Sequence, residues 1–182
     1  MTGNLKFDQQ LPEELGDPGY ENYFGKDKLI LLAASPHSGE EALITETFAE
    51  LKKEFENLKL VLVPRHAERA EEVVSVVEKF QLPQCRRTAG TPANEVDVLI
   101  ADTTGEMLKL MSGADVVIMG KSLAGHDEGH NLIEPALLNK PIVTGHILRN
   151  FRFILNVLLQ DNALVTVTSD AELHPQLQKL IK

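Results

Sequence analysis

From residue 29 onward the chain alternates short apolar runs with amphipathic stretches. Residues 29–34 and 58–63 are near-continuous apolar runs, the pattern of strands buried on both faces. Between them, residues 39–56 repeat at helical spacing, with Ser38 and Glu41 spaced as a capping box. A second helix is expected over 67–80, closed by Pro83, and a short strand over 85–88. Strand 97–101, helix 106–112 and strand 116–119 come next, then a loop to Asn131. The pattern ends with helix 132–138, strand 141–143, helix 150–160, strand 164–167 and helix 171–181. Ser169 and Glu172 are spaced as the capping box of that last helix. Alternation of this kind predicts an α/β fold, a Rossmann-like parallel sheet with helices on both faces and right-handed crossovers. Residues 1–28 do not share the pattern. Pro12, Gly16, Pro18, Gly19 and Gly25 punctuate them, and they read as a lead-in with one short helix ahead of a domain over 29–182.

Composition narrows the class. The 182 residues are 43% hydrophobic but only 5% aromatic, so the core must be aliphatic. A formal charge of −9 excludes nucleic acid as the main partner, because phosphate backbones are held by basic surfaces. A small anionic ligand stays compatible, since it needs only a local cluster of donors. With Cys85 alone, neither an internal disulfide nor a cysteine-based zinc site can form. One cysteine suits a reducing cytoplasm. No apolar run approaches the ~20 residues of a membrane span, and no signal peptide is visible.

In open parallel sheets, ligands bind beyond the carboxyl ends of the strands. The polar oddities of this chain fall there. Ser35-Pro36-His37-Ser38-Gly39-Glu40-Glu41 follows the first strand, and Pro64-Arg65-His66 the second. Asp102-Thr103-Thr104-Gly105-Glu106 and Gly120-Lys121-Ser122 follow two later ones. As a set they point to a ligand site, although each has a plainer reading. Ser38 and Thr103 suit helix caps, Glu106 suits a helix start, and Arg65 can pair with an acid or donate to a phosphate. Lys121 is not part of a Walker loop, because Asp115 stands where that motif needs glycine.

The heptapeptide Gly129-His130-Asn131-Leu132-Ile133-Glu134-Pro135 puts an amide and a carboxylate three residues apart, on one face of any helix that starts there. It reads either as a nucleotide or nucleotide-sugar pocket or as a capped helix. First-turn N–H groups suit a phosphate, and a carboxylate one turn in suits a pair of sugar hydroxyls. His126 and His130 are four apart, but Gly125 and Gly129 oppose the helix a zinc pair would need, so no metal is expected. Cys85 beside Arg86 and Arg87 is either an activated thiol or a structural one. A hydrolase reading fails for lack of a Gly-x-Ser-x-Gly elbow.

Taken in order, these motifs resemble one family: the 3-deoxy-D-manno-octulosonic acid (Kdo) transferases of lipopolysaccharide synthesis, and specifically their carboxyl-terminal half. The resemblance is carried by 2–8 (Thr-Gly-Asn-Leu-Lys-Phe-Asp), Ser35 to Glu41, Val63 to His66, Asp102 to Glu106, Gly120 to Leu123, Gly129-His130-Asn131 with Glu134-Pro135, and Asn150-Phe151-Arg152. It implies one half of a GT-B glycosyltransferase: an excised donor-binding domain, with residues 1–28 as the interdomain segment. The implied donor is CMP-Kdo and the acceptor a lipid A precursor, reached through an amino-terminal domain that also holds the catalytic base. No cofactor and no membrane contact are expected of this part. The chain alone should be inactive, and the whole enzyme should work at the cytoplasmic face of the inner membrane.

By resemblance, the donor contacts are Pro64 and Arg65, then Thr104, Gly105 and Glu106, then Asn131, Leu132, Ile133 and Glu134. Ser35, His37, Gly39, Ser122 and His130 are further candidates. The chain departs from the family where Lys121 and Glu128 replace common glycines, and where Pro36 and Ser38 replace a threonine and a glutamate. Two rival readings are a GT-B domain using a UDP-sugar and a non-catalytic acidic interaction domain.

Overall fold

The computed structural model describes residues 11–160 and 164–182. The motif at 2–8 therefore lies outside the described residues. Seven parallel strands form one sheet in the order β3-β4-β2-β1-β5-β6-β7. They are β1 (Leu29–Ala34), β2 (Leu58–Val63), β3 (Gln84–Arg86), β4 (Val98–Ile100), β5 (Val116–Met119), β6 (Ile142–Gly145) and β7 (Leu164–Val167). The helices are α1 (Glu21–Phe24), α2 (Glu40–Lys52), α3 (Ala70–Glu78), α4 (Met107–Ser112), α5 (Ile133–Leu137), α6 (Arg152–Gln160) and α7 (Leu173–Ile181).

Strand side chains alternate between the two faces, and the core divides accordingly. Leu31 and Ala33 of β1 join Leu58, Leu60 and Leu62 of β2 against α2, α3 and α7, through Ile44, Phe48, Val73, Val77, Leu173 and Leu177. Leu32 and Ala34 face the other way, toward Leu110 of α4, Ile133 of α5 and Leu155 of α6. That second layer also takes in Tyr20, Tyr23 and Phe24 from the lead-in, and the Tyr20 hydroxyl donates to the Leu110 carbonyl at 2.6 Å. Tyr20, Tyr23 and Phe24 are thus packed into the core ahead of β1.

Both expected capping boxes are replaced. Gly39, not Ser38, precedes α2, and no side chain caps that helix. Glu40 reaches back instead and accepts the His37 N–H at 2.7 Å. At the last helix, Glu172 accepts from Thr168 N (2.7 Å) and Oγ1 (2.8 Å), one residue before the expected Ser169. The expected helices 67–80 and 171–181 each begin as a 3-10 turn, Ala67–Arg69 and Asp170–Glu172.

The strand order reverses direction at β1, which lies between β2 and β5. Chains leaving β1 and β5 cross to opposite faces, and a crevice opens between their ends. The approach there is close. A Cβ on Gly120 would stand 2.4 Å from the Ser35 carbonyl oxygen, so only glycine fits.

Candidate functional site

A cavity of about 320 Å³ lies over the carboxyl ends of β1, β2, β4 and β5. Ser35 and Pro64-Arg65 line one side, Thr103 to Gly105 another, and His130, Asn131 and Glu134 close it. Residues from four loops thus meet in one place. Arg65 is exposed and has no hydrogen-bond or ion-pair partner among the described residues. Asn131 Oδ1 accepts the Ile133 N–H at 3.1 Å and so shapes the start of α5. Helix α5 begins at Ile133, after Leu132 at the cap position. Glu134 still faces the cavity from its first turn. Burial pushes the Glu134 carboxyl above the usual carboxylate range, and among the described residues no hydrogen bond or cation offsets it.

Other candidates sit differently. Leu132 and Ile133 are buried, with side chains in the core beneath the pocket, so any contact they make with a ligand falls to their backbone. The Glu106 carboxylate turns to Arg87, accepting from Nε at 2.8 Å and Nη2 at 3.1 Å, and also accepts from the Thr103 hydroxyl. Arg87 and then Thr103 hold its pKa down at about 2. Ser122 is buried: its hydroxyl donates to the Met119 carbonyl at 2.8 Å and accepts the Gly145 N–H at 3.0 Å. His37 and Gly39 do not line the cavity.

Methionines form part of the lining that the sequence did not single out. Met107, Met111 and Met119 give the cavity an adaptable apolar floor. Each lies on or next to a strand end or the following helix, but nothing local separates such a methionine from a core residue.

Glu40 was also missed. It is completely buried, and its carboxylate accepts four backbone N–H groups. Oε2 takes His37 and Lys121, each at 2.7 Å, and Oε1 takes Ser122 at 2.9 Å and Leu123 at 2.8 Å. One side chain thereby ties the loop after β1 to the loop after β5, across the switch point. The neighbouring Glu41 is buried against Arg69, with Oε1 2.8 Å from Nη1.

Around the heptapeptide, Gly129 holds a φ of 74°, and a Cβ there would meet Leu148 at 2.5 Å. Its N–H donates to the Lys121 carbonyl at 2.7 Å, closing the loop between them. Lys121 and Glu128, which replace common glycines of the resembled family, pair with each other at 3.1 Å. Among the described residues no cluster of His, Cys, Asp or Glu could hold a metal ion; His126 Nε2 instead meets the Ser38 carbonyl at 3.0 Å. Burial, and then the Asp102 charge, raise the Cys85 thiol pKa, which opposes the activated reading.

No family model matches the chain. It is 33% identical over 175 residues to a 3-deoxy-D-manno-octulosonic acid transferase of Haemophilus influenzae, covering 94% of this chain and 41% of that protein. A protein of the same description from Bordetella pertussis is 34% identical, over 84% of this chain and 36% of its own. The chain thus spans less than half the length of these relatives. Among solved structures, the carboxyl-terminal CMP-Kdo binding domain of WaaA from Acinetobacter baumannii superposes with a TM-score of 0.78. It is 29% identical, with 86% of this chain and 80% of that one covered.

Proposed function

The chain is a homologue of the 3-deoxy-D-manno-octulosonic acid transferases, and we propose that it is the domain that grips CMP-Kdo while the sugar is handed on. The observation that carries this reading is the convergence of Arg65, the Thr104-Gly105 backbone, Asn131 and Glu134 on one cavity at the sheet's switch point. Arg65 supplies the charge for the nucleotide phosphate. The N–H groups before α4 add dipoles on the same anion. Glu134, half-buried and without a cation, accepts the two ribose hydroxyls, while Asn131 holds the turn that presents it. Pro64 and the methionine floor pack against the base.

In the transfer, the bond between Kdo and the CMP phosphate breaks and negative charge grows on the departing phosphate. Arg65 and the oriented N–H groups stabilise that charge more strongly than the ground state. The acceptor is a lipid A precursor, and its hydroxyl loses a proton to a base outside this domain. The whole enzyme works at the cytoplasmic face of the inner membrane. Among the described residues no helix is long and apolar enough to cross a membrane.

Calorimetric titration with CMP, UMP and UDP tests the reading. CMP should bind at least about tenfold tighter than UMP or UDP, a gap of ~1.4 kcal/mol. Tighter binding of UDP would move the chain to the UDP-sugar enzymes of the same fold. No binding of any nucleotide at millimolar concentration would leave an acidic interaction domain. The isolated chain should transfer no Kdo.

A further inference from the structure

A second polar cluster lies at the switch point, at the edge of the nucleotide cavity. His37, after β1, and His130, before α5, lie with ring centroids 5.5 Å apart. The Nε2 atom of each is buried and has no hydrogen-bond partner among the described residues. A buried, unpartnered polar group costs stability, and native proteins keep few without a use for them. The His130 ring bonds the Ser35 carbonyl. Because Nε2 is the unpartnered atom, that bond is made by Nδ1–H, and Nε2 presents a bare lone pair.

The surroundings are cationic although the chain is acidic. Arg65, Lys121 and His37 act on His130; Lys121, His126 and Arg69 act on His37, with Glu40 opposing them. Burial first, then these neighbours, bring the His130 pKa down to about 4, so its ring is neutral at pH 7. The exposed acid at this mouth, Glu128, is held by Lys121 Nζ at 3.1 Å and feels His126 and His37 beyond it. Lys121 holds that pair from a left-handed backbone (φ 61°), which a side chain adopts only at a cost of roughly 1 kcal/mol.

We propose that His37, His130 and Lys121 form a subsite for the sugar acid of the donor, closed in the free protein by the Lys121–Glu128 ion pair. The proposal rests on the donor-binding reading above. A sugar acid brings one carboxylate and several hydroxyls. Its carboxylate replaces Glu128 at Lys121, one anion for another. A sugar hydroxyl donates to the His130 lone pair, and the second unused nitrogen, on His37, takes a neighbouring hydroxyl. Until the ion pair parts, both nitrogens stay shielded from water, which accounts for two buried polar atoms left idle. His130 also lines the nucleotide cavity, so the sugar extends from the phosphate at Arg65 toward the loop after β5.

Parallel titrations with CMP and with CMP-Kdo separate this subsite from the nucleotide pocket. The unaltered protein should prefer CMP-Kdo to CMP by at least about tenfold. Lys121→Met and His37→Gln should each remove most of that preference and leave CMP affinity within about twofold. Glu128→Gln should widen the preference roughly two- to fivefold by removing the competing anion. Imidazole nitrogen NMR of the unaltered protein gives a reading that no variant's folding can spoil: His37 Nε2 should shift with CMP-Kdo and not with CMP. Equal losses for both ligands, an unchanged preference, or an Nε2 shift with CMP alone would overturn the subsite. A protein that binds no CMP would sink the donor-binding reading itself, and the subsite with it. One that binds CMP without preferring CMP-Kdo would sink the subsite alone.

Discussion

Two polar clusters share the carboxyl edge of the sheet and could hardly be more different in how they are satisfied. At the end of β4, Asp102 accepts from Arg86 Nε at 2.7 Å, Thr88 N at 2.9 Å and the Thr88 hydroxyl at 2.6 Å. Glu106 and Arg87 close a second ring beside it, and Arg87 Nη1 reaches the Pro18 carbonyl at 2.9 Å. Burial works against ionised Asp102, but Thr88 and then Arg86 outweigh it and hold its pKa below the usual value. At the ends of β1, β2 and β5, by contrast, Arg65 lacks an acid, Glu134 lacks a cation, and two histidine nitrogens lack any partner among the described residues. Charge and polarity alone therefore do not mark a site. Groups left unpaired, at the cost of stability, do.

The largest effect should come from the residue that joins the open cluster together. Glu40→Ala would strand four backbone N–H groups at a fully buried position and should cost about 4 kcal/mol in urea unfolding. Asp102→Ala breaks the closed cluster and should cost about 3 kcal/mol. It should leave CMP affinity within about twofold wherever the protein stays folded. A large loss of CMP binding with stability intact would show that the β4 cluster is more than structural. Arg65→Ala should do the reverse: unfolding within about 0.5 kcal/mol of the parent, and CMP affinity down tenfold to a hundredfold, roughly 1.4–2.8 kcal/mol.

The sequence carried the sheet more clearly than the helix ends. Parallel strands buried on both faces are near-continuous apolar runs, so β5 and β7 have the expected bounds, Val116–Met119 and Leu164–Val167. The first capping box failed because spacing cannot say which of two adjacent glutamates reaches back to the loop. Glu40 does so because the loop after β5, some 80 residues away, brings three N–H groups to it. For the cavity, helical spacing in the heptapeptide brought forward Asn131 and Glu134, and the strand-end rule was enough to bring forward Arg65, because it follows from topology. It said nothing of the methionine floor, and it could not tell the satisfied Glu106 from the unsatisfied Glu134. Those two carboxylates differ only in what the rest of the fold brings near them. The family resemblance, read from motif order, agrees with the relatives found by comparison.

The smallest expected effect is also the sharpest test of that contrast, because its sign is reversed. Burial raises the pKa of Glu134 in the folded chain with nothing to offset it. A carboxyl of that kind favours the folded state while protonated, below its unfolded pKa. It loses that contribution as pH rises through the folded value. At pH 7 the ionised group therefore opposes folding. Glu134→Gln should stabilise the protein at pH 7 by about 0.5–1 kcal/mol, and the gain should fade toward zero near pH 4. The same change should weaken CMP, because an amide presents one acceptor where the carboxylate presents two to the ribose diol. Glu106→Gln, in the closed cluster, should destabilise at pH 7, since its carboxyl is held near 2 by Arg87 and Thr103. That loss should shrink as pH falls from about 4.5 toward 2. Chemical unfolding of both variants at pH 4 and pH 7 reads the two signs together. A destabilised Glu134→Gln at pH 7 would mean that Glu134 has a partner in the free protein and belongs with the satisfied cluster.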